Sequence, residues 1–162
     1  MLKSFKPIII IAGDPKSVFL EIYFKSLKKN KFKNPLILII SENILLEQMK
    51  ALKYNFKINK LDINNLTHKK LNNRKINIID IPFNKKFLSE YIYQSFEKAL
   101  LLTKKNDKIN LINGPINKKK ILKQQFLGIT EYLDFKTRSK GKSVMLIYNK
   151  DLSVSPLTTH LP

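Results

Sequence analysis

Apolar residues in this chain come in short runs, separated by stretches where they recur every three or four positions, and that alternation predicts a layered α/β fold. Ile8, Ile9, Ile10 and Ile11 form one run, the pattern of a strand buried on both faces, so a first strand is expected over 7–12. Gly13-Asp14-Pro15 ends it. Val18, Phe19, Ile22, Tyr23 and Leu27 follow at helical spacing and predict a helix over 17–29 with those side chains on its apolar face. Pro35 opens a second strand over 36–40, and Ser41 is placed to cap a helix whose apolar face is Leu45, Met49 and Leu52. The stretch 55–75 is rich in Lys and Asn, with weak strand character at 56–61.

The second half of the chain repeats the alternation less regularly. A strand over 76–81 ends at Pro82, and 87–104 is the clearest helix, with Leu88, Tyr91, Ile92, Phe96 and Ala99 on one side. A strand over 109–112 runs into Asn113-Gly114-Pro115, and a short helix is expected over 118–125. Residues 144–148 and 152–157, separated by Asn149-Lys150-Asp151, read as two strands joined by a tight turn. No internal repeat and no linker of biased composition interrupts the 162 residues.

Composition narrows the function more by exclusion than by indication. Cysteine is absent, which removes disulfides, thiolate nucleophiles and cysteine-ligated metals, and leaves His, Asp and Glu as possible ligands. The apolar runs are far shorter than the roughly 20 residues of a membrane helix, and the N-terminus lacks the apolar core and cleavage site of a signal peptide. No membrane partner and a cytoplasmic location are therefore expected. The net charge of +19 raises a small basic nucleic-acid-binding module as an alternative. Only Arg74 and Arg138 are arginines, however, so 31 − 2 = 29 of the cations are lysines, and they are spread along the whole chain. Recognition of phosphates and base edges draws on the planar guanidinium fork. The expectation is a lysine-coated surface with no nucleic-acid partner.

Glycine occurs only four times, and Gly13, Gly114 and Gly128 each adjoin the end of an expected element, where loops at the carboxyl edge of a parallel sheet form ligand crevices. Neither Gly-x-Gly-x-x-Gly nor Gly-x-x-x-x-Gly-Lys-Ser/Thr is present, so the sequence carries no Rossmann fingerprint and no P-loop.

Four segments, in order, resemble one family. Ala12-Gly13-Asp14-Pro15 with Glu21-Ile22, Gly114-Pro115-Ile116-Asn117-Lys118, Gly128-Ile129-Thr130-Glu131 and Thr158-Thr159-His160-Leu161-Pro162 are similar to the Gly-Asp-Pro, Ala-Pro-Ile-Asn-Lys, Gly-His-Thr-Glu and Thr-Thr-His-Ile-Pro segments of the 4-hydroxythreonine-4-phosphate dehydrogenases. Residues 16–20 depart from the family's small and glycine residues. The resemblance implies an αβα sandwich of the isocitrate/isopropylmalate dehydrogenase kind, incomplete here. Residues 1–162 would be the N-terminal portion of a two-domain dehydrogenase whose C-terminal half is absent.

The same resemblance implies NAD-dependent oxidation and decarboxylation of 4-phosphooxy-L-threonine to 3-amino-2-oxopropyl phosphate in vitamin B6 biosynthesis. It implies NAD and a divalent metal (Zn, Mg or Co) as cofactors, a phosphorylated amino-acid substrate, and a homodimer with a shared active site. His160 matches the first of three metal-ligating histidines, and Thr130 a substrate-contacting threonine. Ile129 stands at the family's substrate-contacting histidine, which motivates a related four-carbon sugar-acid phosphate dehydrogenase as an alternative, such as one acting on threonate 4-phosphate. A helix N-cap is the other role open to Thr130. Asn117 and Lys118 are weaker candidates for orienting an anion, and His68 matches no motif. The catalytic and cofactor-binding residues are not assigned. A non-catalytic domain that retains the fold and pairs with a partner is the remaining reading.

Overall fold

The computed structural model describes residues 6–64, 71–105, 109–122, 126–139 and 143–156, apart from the side chains of residues 105, 119 and 120. The chain divides into two compact units, 1–116 and 117–162.

The first unit is built on a five-stranded parallel sheet. Its strands are β1 (Ile8–Ile11), β2 (Leu36–Ile40), β3 (Ile58–Lys60), β4 (Ile76–Asp80) and β5 (Asn110–Asn113), arranged β3-β4-β2-β1-β5. Helices α1 (Phe19–Lys29), α2 (Glu42–Ala51) and α3 (Leu88–Lys105) lie between them in sequence, α3 preceded by a single 3₁₀ turn at Lys85–Phe87. Parallel neighbours cannot be joined by a hairpin, so long connections of this kind are what the pairing demands. The central strands are aliphatic throughout because both faces are covered: Ile9, Ile11, Leu38, Ile39 and Ile40 are fully buried.

The Lys- and Asn-rich stretch has a structural task that its composition conceals. From it come β3 and Asn73, which with Asn77 at the start of β4 brings two amides to the amino edge of the sheet. Asn73 donates through Nδ2 to the carbonyls of Phe32 and Asn34, at 3.0 and 2.8 Å, and accepts the Leu36 N–H at 2.9 Å. Asn77, buried within β4, donates to the carbonyls of Leu36 and Asn72 at 3.0 Å each and accepts from Asn59 at 2.8 Å. Backbone groups at the entry to β2 are thereby satisfied without water, as burial requires.

Helix α1 presents a different face from the one its spacing suggests. Leu20, Tyr23 and Phe24 are buried, whereas Val18 and Ile22 are 62% and 59% exposed. The correction follows from β5. That strand ends the sheet, and its Ile112, in register with Ile10, is itself half exposed. Ile22 therefore borders an open apolar groove of about 190 Å³ lined by Ile8, Ile10, Phe19, Tyr23 and Ile112.

The second unit contains α4 (Lys118–Ile121), α5 (Ile129–Thr137) and an antiparallel ribbon of β6 (Ile147–Tyr148) and β7 (Ser153–Val154). Helix α4 is assigned over four residues, with 123–125 outside the described residues. Helix α5 is not anticipated by the hydrophobic pattern, since of its side chains only Tyr132 is buried. The ribbon joins where a tight turn is expected, but its paired residues are fewer than the two five- and six-residue strands the sequence suggests, and Leu157 lies outside the described residues.

Candidate active site

Strand order brings two of the motif loops side by side in the first unit. Successive strands from β1 build outward through β2 to β4 and β3, and β5 then returns to the opposite side of β1. The strand order reverses at β1, so the loops leaving the carboxyl ends of the parallel strands β1 and β5 are neighbours at a topological switch point, the kind of place where parallel sheets bind ligands. Two of the motif segments, Gly13-Asp14-Pro15 and Gly114-Pro115-Ile116, leave β1 and β5 at this place.

These two loops are laced together by backbone alone. The Gly114 N–H donates to the Ile11 carbonyl at 2.8 Å, and the Asp14 N–H donates to the Pro115 carbonyl at 2.9 Å. Such close approach excludes side chains at both glycines. A Cβ on Gly13 would sit 2.4 Å from the Pro115 oxygen, and one on Gly114 would sit 2.3 Å from the Ala12 oxygen. Gly13 also has φ +78°, the left-handed region that favours glycine. The Asp14 carboxylate accepts the Lys16 N–H at 2.9 Å, and the Asp14 carbonyl accepts the Ser17 N–H at 2.9 Å. An Asx turn therefore closes the loop before α1 begins at Phe19, two residues later than the pattern suggests.

Farther along the same carboxyl edge, polar groups are paired among themselves. Ser41 occupies the N-cap of α2 as expected, but its hydroxyl makes no capping bond. The Glu42 N–H is instead taken by Asp80 at 2.9 Å, from the end of β4. Lys60 bridges Glu42 and Asp80 at 2.7 and 3.0 Å. The Tyr91 hydroxyl accepts the buried Ser41 N–H at 3.2 Å, and burial pushes its pKa up to about 12. These contacts tie α2 and α3 to the sheet.

In the second unit, the third motif forms the start of α5. Gly128 is the N-cap, with extended backbone and a carbonyl that accepts the Tyr132 N–H at 3.2 Å. Thr130 is therefore the second residue of the helix and not its cap. Ile129 and Thr130 are both half-buried in the first turn. Glu131 stands three residues after the cap, the spacing from which a side chain reaches back over a helix start. Its Oε2 lies 2.9 Å from where a Gly128 Cβ would be, and Lys118 Nζ lies 3.8 Å from the same point. That carboxylate oxygen is buried without a hydrogen-bond partner. An ammonium, a carboxylate and the unbonded N–H groups of a helix start thus converge on the space left by a missing side chain, and the helix dipole makes that end favourable to anions.

Of the residues singled out in the sequence, Gly13, Asp14 and Gly114 come together in the first unit, and Lys118, Gly128, Ile129 and Thr130 in the second. Asn117, exposed, precedes α4, and its carbonyl accepts the Ile121 N–H at 3.0 Å. His160 and His68 lie outside the described residues. Among the described residues no three His, Asp or Glu side chains are grouped as a metal site requires, and the candidate ligand His160 is not one of them. Nor is any helix among them long and apolar enough to cross a membrane. Glu131 is the site residue that motif reading passed over, although its spacing from Gly128 is visible in the sequence.

A profile of the pyridoxal phosphate biosynthetic protein PdxA matches residues 31–162. The chain belongs to the PdxA family. Its fold is shared with a 4-hydroxythreonine-4-phosphate dehydrogenase from Burkholderia phymatum, at a TM-score of 0.78 and 21% identity, over 99% of this chain and 52% of that one. The enzyme of the same name from Klebsiella pneumoniae superposes at a TM-score of 0.78 and 20% identity, over 97% and 52% of the two chains. A third, described as a putative 4-hydroxythreonine-4-phosphate dehydrogenase from Salmonella typhimurium, gives a TM-score of 0.71 at 21% identity over 93% and 50%. No curated protein sequence matches. This PdxA-family chain spans about half the length of the solved structures it resembles.

Proposed function

We propose that this chain is the N-terminal half of a cytoplasmic, NAD-dependent 4-hydroxythreonine-4-phosphate dehydrogenase that oxidises and decarboxylates 4-phosphooxy-L-threonine in vitamin B6 biosynthesis. In this reading it works as a homodimer and turns over only together with a C-terminal half. The observation that carries the reading is the start of α5, where the family's substrate-contacting segment presents Thr130 in the same helical turn that faces Lys118. An anionic substrate group would be drawn by the ammonium and by the first-turn N–H groups, and the Thr130 hydroxyl would donate a further hydrogen bond. Glu131 supplies a carboxylate acceptor for a cationic group, such as the amino group of the substrate. NAD supplies the hydride acceptor. The resemblance also implies a divalent metal, for which His160 would be a ligand, and no step is assigned to it.

The feature of this chain that bears most on substrate choice is Ile129. An apolar side chain at the family's histidine position removes a polar contact, and a hydrogen bond to a charged group contributes about 1.5–3 kcal/mol. At 1.36 kcal/mol per tenfold, restoring it with Ile129→His in the complete enzyme is expected to raise kcat/KM for 4-phosphooxy-L-threonine by roughly 10- to 100-fold. Steady-state NADH formation, measured on 4-phosphooxy-L-threonine and on threonate 4-phosphate, tests the assignment. We expect the enzyme with Ile129 to prefer the amino acid already. A clear preference for the sugar acid, unaltered in Ile129→His, would instead establish the four-carbon sugar-acid reading.

A further inference from the structure

Cations that are scattered in the sequence are gathered by the fold at one edge of the parallel sheet. Lys6 leads into β1, Lys31 and Lys33 into β2, Lys53 and Lys57 into β3, and Arg74 and Lys75 into β4. All are exposed, and none takes part in an ion pair among the described residues. These four strands are neighbours in the order β3-β4-β2-β1, so the segments that precede them stand side by side. Backbone bonds hold them there. The Pro35 carbonyl accepts the Ile8 N–H at 2.9 Å and the Lys57 carbonyl accepts the Ile76 N–H at 2.8 Å, while Asn73 donates to the carbonyls of Phe32 and Asn34. Paired strands lie about 4.8 Å apart, so the basic band runs for roughly 15 Å.

The acids are elsewhere. No Asp or Glu occurs in 28–35, 52–57 or 71–75, whereas Asp14, Glu42 and Asp80 stand at the carboxyl edge, where the motif loops lie. The helix dipole favours cations at a helix C-terminus, which accounts for Lys28 and Lys29 in the last turn of α1 but not for the cations on the loops. A row of like charges held in place repels itself, and an anion laid along it relieves that repulsion.

The class of partner follows from what the band has and lacks. Nucleic acid carries its phosphates densely along a line and releases condensed counterions when cations neutralise them, a gain that an acidic protein segment does not offer. Stable attachment to an anionic membrane takes a second, apolar signal, and no large apolar side chain is exposed in these segments. The aromatic rings nearby are packed within the unit, Tyr54 and Phe56 on Phe24 and Phe32 in the wall of the apolar groove. With Arg74 as its one arginine, the band meets phosphates as point charges and presents neither a fork nor a stacking ring to read a base.

We infer that the amino edge of the sheet, opposite the motif loops, binds the phosphate backbone of nucleic acid without selecting bases. The inference is independent of the dehydrogenase reading.

Fluorescence anisotropy of a labelled single-stranded oligonucleotide, titrated with the 162-residue chain, tests it. Binding is expected to persist at about 0.15 M salt, where the Debye length is about 8 Å and remote charges are screened. Under those conditions Lys31→Glu/Lys33→Glu should weaken binding at least about tenfold and lower the salt slope by about 1.4, two phosphate contacts at about 0.7 each. Lys85→Glu/Lys86→Glu, in the exposed turn after β4, changes the net charge equally and should alter affinity by no more than about threefold. The milder Lys57→Gln/Lys75→Gln pair, with circular dichroism to confirm a folded chain, should weaken binding as well and separates loss of contacts from loss of the fold. Equal losses in the two charge-reversed pairs would overturn the inference, because bulk charge alone would then account for binding. So would no binding at this salt, or competition by poly-glutamate or phosphatidylglycerol vesicles as strong as by unlabelled oligonucleotide. A polypeptide extended to the length of the PdxA-family relatives should bind too. Loss of binding there would overturn the inference by showing that the C-terminal half occupies this edge, and would leave the dehydrogenase reading intact.

Discussion

Replacing Gly13 with alanine is expected to destabilise the first unit by about 2–5 kcal/mol, although it adds a single methyl group. Two costs add. A left-handed backbone costs a residue bearing a Cβ roughly 1–2 kcal/mol, and Gly13 sits at φ +78°. The new Cβ would also lie 2.4 Å from the Pro115 oxygen, a backbone atom that no rotamer change can move. The β5 loop must then retreat, and the Asp14 N–H loses the carbonyl it donates to. An unmet buried group costs about 1–3 kcal/mol. Gly128→Ala is the control. Its backbone is extended at φ −162°, and the nearest obstacle is the end of the Glu131 side chain, so the change should stay within about 1 kcal/mol. Thermal unfolding followed by circular dichroism distinguishes the two. Equal, small effects would show that the two loops are not laced as described.

The second large effect is expected at Phe24. Its ring is fully buried on α1 and meets Tyr54 and Phe56 at centroid distances of 5.2 and 5.7 Å, with Tyr23 at 6.1 Å. The cluster fastens α1 to the segment between α2 and β3. Truncation to alanine removes the transfer free energy of the ring and leaves a cavity, a change that costs about 3–5 kcal/mol in well-packed cores. For a chain of this size the midpoint should fall by roughly 10–15 °C. Phe24→Leu, which keeps most of the volume, should recover more than half of the loss. Ile22→Ala is the matching test on the exposed side of α1, and a shift of at most a degree or two is expected there. If Ile22→Ala proved as damaging as Phe24→Ala, the burial of α1 would have to be reversed.

The elements legible in the sequence are those whose burial is nearly total. Four isoleucines in a row suit a strand covered on both faces, as β1 is, and the spacing of Tyr91, Ile92, Phe96 and Ala99 matches the face that α3 buries. Where one element is incompletely covered, pattern and structure diverge. Val18 and Ile22 are apolar and helically spaced, yet both are exposed, and Ile22 borders an open groove, because β5 ends the sheet and strand order cannot be read from periodicity. Helix α5 escaped because its apolar residues are few and mostly half-exposed. Its start is signalled instead by Gly128 followed three residues later by Glu131. The Gly-Asp-Pro and Gly-Pro-Ile motifs were visible as motifs, but their contact at the reversal between β1 and β5 is a property of topology. The polar stretch 55–75 shows only weak strand character at 56–61, where β3 forms, and its pattern says nothing of the amides around the start of β4. In fact Asn73 and Asn77 bond backbone groups 37 to 41 residues away in sequence, a distance no local pattern reports.

One assay bears on the whole account: NADH formation from NAD and 4-phosphooxy-L-threonine, followed by absorbance, with the 162-residue chain and with a polypeptide extended to the full length of its PdxA-family relatives. The relatives of known structure are about twice as long as this chain, and a half-length chain is expected to leave the reaction without its full set of groups. Turnover is expected from the extended polypeptide and none from the short chain at any enzyme concentration. Turnover by the short chain alone, or none from the extended one, would contradict it.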